Sequence, residues 1–141
     1  MYKVGDVLRV TQPYSFTGTD KKCRWFVFLG RCHFAENPRN IFLCTTTTQL
    51  EKYRINKASV CVEFKADNSC FDRDCLLCLD ELEDSFTEDA FISRFQPETK
   101  GNVGLYKLQE ILQKLRQADV SPRIVQDIIA SFRLDEIPTC K

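Results

Sequence analysis

Cys23-Arg24-Trp25-Phe26-Val27-Phe28-Leu29 and Ile41-Phe42-Leu43-Cys44-Thr45-Thr46-Thr47-Thr48 are the two stretches that decide how this chain folds. Each is a short apolar run bounded by polar or turn-forming residues, the pattern of a buried strand. The first ends at Gly30, and Asn37-Pro38-Arg39-Asn40 supplies turn chemistry before the second. The threonines lengthen the second strand, because β-branched side chains suit the pleat. Each run also carries a polar group that strand formation does not require. Arg24 stands at the start of one and the threonine block at the exit of the other, so strands sharing a small barrel would bring a guanidinium and hydroxyls together as an anion site.

Working outward, Gly5-Asp6 followed by Val7-Leu8-Arg9-Val10 reads as a turn feeding a first strand. Residues 11–22 are Thr, Ser, Gly, Pro and Asp-rich, a loop of the length that often serves a site. After a polar connector at 49–57, Ala58-Ser59-Val60-Cys61-Val62-Glu63-Phe64 reads as a fourth strand, Ala66-Asp67-Asn68-Ser69 as a turn, and Cys75-Leu76-Leu77-Cys78-Leu79 as a fifth strand. The acidic segment 80–89 is too polar for a core strand. Ala90-Phe91-Ile92-Ser93-Arg94-Phe95 is expected to be a last short strand.

Beyond residue 100 the period changes. Leu105, Leu108, Ile111, Leu112 and Leu115 recur at helical spacing with Lys107, Glu110 and Lys114 outward, which predicts a helix over 104–117. Ser121-Pro122 is a helix start, and Ile124, Val125, Ile128, Ile129 and Phe132 give the second helix its apolar face. Ala118-Asp119-Val120 joins the two as an αα-hairpin. Strands first and helices last give an α+β chain, mainly β: one domain over 1–141, with an antiparallel barrel or rolled sheet over 1–100 and a hairpin over 101–141 packed on it.

At 141 residues with 43% hydrophobic content the chain can bury one core. Twenty basic and twenty acidic residues cancel, which argues against holding nucleic acid by bulk charge. The charges are segregated, however. Residues 1–40 hold seven Lys/Arg against three Asp/Glu, whereas 80–98 hold seven acidic residues against Arg94. The longest apolar run, 25–29, is far short of the ~20 residues that span a bilayer, and the N-terminus has no apolar signal core. Cys44, Cys61, Cys75 and Cys78 sit inside apolar runs, where thiols behave as small hydrophobes, so the expectation is a reduced, cytoplasmic protein without a membrane partner.

Two cysteine constellations weigh less than the anion site. Cys70-x4-Cys75-x2-Cys78 has the opening spacing of a metal ligand set but lacks its fourth member, and residues three apart on a strand face opposite sides. No metal or other cofactor is expected. Cys32 and His33 are neighbours on an extended chain and point apart, a poor nucleophile–base couple. Arg24 and the threonines can instead position a phosphate, and cleavage of RNA by its own 2′-OH needs only positioning, charge stabilisation and proton transfer.

Gly5-Asp6-Val7-Leu8, Lys22-Cys23-Arg24-Trp25-Phe26-Val27-Phe28-Leu29, Phe42-Leu43-Cys44-Thr45-Thr46-Thr47-Thr48-Gln49 and Asp74-Cys75-Leu76-Leu77-Cys78-Leu79-Asp80-Glu81-Leu82 follow one another in an order that resembles the PemK/MazF-like toxins. The likeness runs over about residues 3 to 95, with Trp25 where that family carries proline and Thr48 where it carries serine. It implies a small SH3-like barrel and a toxin–antitoxin endoribonuclease, a hydrolase acting on single-stranded RNA and neutralised by an antitoxin. Carried over, Arg24 would stabilise the phosphorane-like transition state and Thr47 hold the phosphate as catalytic residues, with Thr48, Tyr14 and Lys22 binding substrate. The rival reading is a non-catalytic interaction module that holds a protein or nucleic-acid partner through Tyr14 and Phe16, the acidic 80–89 segment or the helical hairpin. The apolar helices suit packing on their own barrel or against a second copy in a homodimer.

Overall fold

The computed structural model describes residues 2–11, 24–32, 40–51 and 60–134. Among them lie β1 (Asp6–Val10), β2 (Arg24–Arg31), β3 (Ile41–Thr47), β4 (Cys61–Phe64), β5 (Cys75–Glu83), α1 (Glu88–Phe95), β6 (Glu98–Asn102), α2 (Leu105–Leu115) and α3 (Pro122–Leu134). The six strands form one antiparallel sheet in the order β4-β5-β3-β2-β1-β6, an α+β architecture. The sheet curls into a half-barrel. Gly101 of the edge strand β6 comes so near the β4–β5 connection that an added Cβ would lie 3.1 Å from the Cys70 Cβ.

The two apolar runs read from the sequence occupy the middle of this sheet. Residues 26–29 and 41–44 are buried on both faces, because α1 covers one side and the C-terminal helices the other. Directly paired residues share a face and successive residues alternate, so Leu8, Phe26 and Thr45 lie on one face and Val7, Val27 and Cys44 on the other. Phe91 of α1 meets Phe26 edge-on at 5.9 Å. On the opposite face Lys107 of α2 sits over Phe64 of β4. One hydrophobic cluster runs from Val4 through the sheet to Phe132, so the hairpin is part of the core. No described helix is long and apolar enough to cross a membrane.

Three sequence expectations change here. Residues 90–95 are not a strand: they lie in α1. Thr87 caps that helix, its Oγ1 accepting from Ala90 N at 3.2 Å, Glu88 and Asp89 favour the first turn, and Phe91 and Phe95, one turn apart, bury together. β5 in turn continues through the acidic residues to Glu83, pairing Leu43 with Glu83 and Cys44 with Leu82, with an irregular register before Thr46 meets Leu77. β6 was not expected at all, since Glu98-Thr99-Lys100-Gly101-Asn102 has no apolar alternation. It is an exposed edge held to β1 by backbone pairing. The opposite edge, β4, is blunted by lysines of α2: Lys107 Nζ donates to the Glu63 carbonyl at 2.6 Å and Lys114 Nζ to the Cys61 carbonyl at 2.7 Å.

Gly30 fixes how α3 seats on β2. Its φ is +154°, and an added Cβ would stand 2.5 Å from Ser131 Oγ and 2.7 Å from Ser131 Cβ. Ser131 Oγ accepts from Arg31 N at 2.9 Å and donates back to the Asp127 carbonyl at 3.0 Å, stitching helix to strand. Gly30→Ala is expected to lower unfolding free energy by about 1–3 kcal/mol in urea titrations, as overpacking of a tight contact does. Adding Ser131→Gly is expected to recover part of the loss.

Candidate functional site

The β2–β3 register determines where Arg24 and Thr47 stand. The β2–β3 pairing ends at Phe26 and Thr45, and alternation along each strand carries Arg24 and Thr47, two residues beyond, to the face of that last pair. Arg24 is the first residue of β2 and pairs on its other side with Val10 of β1, while Thr47 is the last residue of β3 and pairs with Leu76 of β5. Both side chains are half-buried.

Local chemistry holds Thr47 at the strand exit. Its Oγ1 accepts from Gln49 N at 3.1 Å, turning the chain out of β3, and that bond leaves the hydroxyl hydrogen to be donated. Thr48, exposed just beyond, takes the Leu50 N–H on its carbonyl. Thr46 faces the other way and hydrogen-bonds the Cys75 thiol. Tyr14 and Lys22, expected to bind substrate, lie outside the described residues, as do Phe16 and His33.

Leu76 pairs with both Thr47 and Glu63, so the row Thr47, Leu76, Glu63 crosses three strands. The acidic member of that row was not anticipated; its carboxylate reaches Lys65 Nζ at 3.0 Å. Arg9 lies on the opposite face, where its guanidinium packs over Trp25. The N-terminal basic surplus is thus partly spent inside the molecule. Arg31 is the clearest case: Nε and Nη2 both donate to Glu88 Oε1 (3.1 and 2.9 Å), Nη2 also donates to the Tyr2 carbonyl, and Tyr2 N donates to Glu88 Oε2. Fifty-seven positions separate Arg31 from Glu88, so no local pattern announces this clamp.

The cysteines divide by face. Cys75 pairs with Phe64 and Cys78 with Cys61, so Cys75 and Cys78 point to opposite sides of the sheet. Among the described residues no group of three or more His, Cys, Asp or Glu is arranged to hold a metal ion. A cavity of about 430 Å³ opens at the other end of β2 and β3 from Arg24 and Thr47, lined by Asn40, Phe42, Asp84, Arg123 and Asp127 among others. Comparison of the sequence with protein-family models and with curated proteins finds no match. The placement of Arg24 and Thr47 at strand ends of the neighbouring β2 and β3 therefore carries the functional reading.

Burial pushes the Cys75 thiol up to about 12 from an ordinary 9.0, outweighing the hydrogen bond from Thr46. Burial also takes the Tyr2 phenol from 10.0 up to about 12, with the charges of Glu88 and Asp6 adding. In both cases the folded state holds its proton more tightly than the unfolded state. Stability is therefore full below pH 9 and lost as pH rises from about 9 towards 12. Unfolding free energy measured by denaturant titration is expected to fall across that window, and less steeply in Cys75→Ala combined with Tyr2→Phe.

Proposed function

We propose that this chain is an SH3-like barrel of the PemK/MazF type that binds single-stranded RNA across the face bearing Arg24 and Thr47 and cleaves it without a metal. What supports this reading is that Arg24 begins β2 and Thr47 ends the neighbouring β3, each half-buried and each two residues beyond the Phe26–Thr45 pair. Arg24 offers planar paired donors to two phosphate oxygens, and Thr47 donates its hydroxyl hydrogen to a third position on the same group. The substrate's 2′-oxygen attacks phosphorus, the phosphorus–5′-oxygen bond breaks, and a 2′,3′-cyclic phosphate and a 5′-hydroxyl result. Arg24 offsets the charge that grows on the equatorial oxygens, from a partly dry position where that stabilisation is worth more than in water. Thr48, Tyr14 and Lys22 would meet the nucleotides flanking the cleaved bond.

The acting compartment in this reading is the cytoplasm, and an antitoxin that covers Arg24 and Thr47 is the protein partner. Purified protein is expected to cleave a defined single-stranded RNA in the presence of chelator. Arg24→Ala and Thr47→Val are each expected to lower the rate by about 10²–10³-fold with the circular-dichroism spectrum unchanged. Cleavage at wild-type rate by Arg24→Ala would refute the proposal.

One observation favours a second, non-catalytic reading. Tyr106 is 90% and Leu105 46% exposed at the start of α2, an apolar pair presented to solvent beside the sheet edge. Such a pair suits a protein partner. Absence of RNA cleavage, together with a partner lost on Tyr106→Ala, would favour it.

A further inference from the structure

We propose that Cys61 and Cys78 form a modification site, a reversible cross-strand disulfide made when the reduced chain meets a peroxide. The proposal does not rest on the RNA reading. The β4–β5 register sets Cys61 directly opposite Cys78, and their Sγ atoms are 3.0 Å apart. Directly opposed antiparallel residues have Cα atoms about 4.5 or 5.5 Å apart, and both spacings fall within the roughly 4.4–6.8 Å that disulfides span. Closing the bond to about 2.05 Å thus asks for about 1 Å of sulfur movement and no slip of either strand.

The other described thiols are placed differently. Cys44 Sγ lies 2.8 Å from the Cys78 carbonyl oxygen and donates to it. Burial holds the Cys44 thiol protonated well above its ordinary range, which keeps it a donor. Cys75 is on the opposite face with Thr46, Cys70 lies in the β4–β5 connection against Gly101, and Cys32 lies at the far end of the sheet. The Cys61–Cys78 contact brings two sulfurs within hydrogen-bonding distance.

The chemistry balances with hydrogen peroxide as the oxidant. One thiolate attacks a peroxide oxygen, forming S–O as O–O breaks, and the departing hydroxide takes a proton to become water. The second sulfur then attacks the sulfenic sulfur, S–S forms as S–O breaks, and a second water leaves. Two thiols lose two electrons and two protons, and the peroxide is reduced to two waters. Both cysteines are buried, at 4% and 1% exposure, but β4 is an edge strand and its opening admits a small oxidant. The bond would fasten β4 to β5 beside Leu76, the partner of Thr47.

The test treats the reduced full chain with hydrogen peroxide, alkylates it under denaturing conditions, and maps its peptides by mass without reductant. The expected result is a linked peptide pair joining Cys61 to Cys78, released by dithiothreitol. The melting temperature should rise by roughly 10 °C, as closure of a short loop predicts. Cys44→Ala, which leaves the pair in place, should still form the link, whereas Cys61→Ala and Cys78→Ala should not. Recovery of Cys61 and Cys78 unlinked, or a bond between any other pair, overturns the proposal. The wild-type map decides this alone, so poor folding of a variant leaves the test intact.

Discussion

Residues 26–29 of β2 and 41–44 of β3 are buried on both faces, and this double burial constrains everything around them. A slip of one residue between the strands would turn Phe26 and Phe28 away from α1 and set Val27 and Leu29 in their place. The core does not tolerate that exchange, because Phe91 packs edge-on against Phe26 and Tyr2 tilts against Phe28. The register is therefore set by apolar packing. Its polar consequence appears two residues beyond Phe26 and Thr45, where the pairing has ended and alternation carries Arg24 and Thr47 to the face of that pair. The site is a by-product of a core that would be needed in any case.

Packing also explains why the helical hairpin belongs to the fold. α3 seats on Gly30, where any side chain would meet Ser131, and α2 extends two lysines to the carbonyls of the edge strand β4. The helices thus close one face and protect one edge. Arg31, Glu88 and the Tyr2 backbone fasten the start of the chain against the entrance of α1. Breaking that half-buried pair by removing one partner would leave a charge with poor access to water, which makes it a structural clamp.

Much of this was legible in the residues. The apolar runs at 25–29 and 41–44 and the helical spacing of Leu108, Ile111, Leu112 and Leu115 each lie where burial demands a single period. The failures have physical causes. Phe91 and Phe95 are four apart, a helical interval, but over six residues a strand and a helix share too many positions to separate, and the Thr87 cap is the decisive signal. β6 carries no apolar alternation because it is an exposed edge whose stability comes from backbone pairing with β1. For the site, strand ends pointed to Arg24 and Thr47, but the face they share depends on a register that local sequence does not encode. Glu63 joined the row only through β4–β5 pairing, and the Cys61–Cys78 contact arose the same way.

The central claim is that Arg24 and Thr47 act on one phosphate, and a double-mutant cycle tests it most directly. Binding of a single-stranded RNA with 2′-O-methyl riboses, which cannot attack its own phosphate, would be measured for wild type, Arg24→Ala, Thr47→Val and the double variant. A shared phosphate predicts a coupling energy of about 1 kcal/mol or more, the double loss being smaller than the sum of the single losses. Additivity within about 0.3–0.5 kcal/mol would contradict it, since residues without a shared partner behave independently.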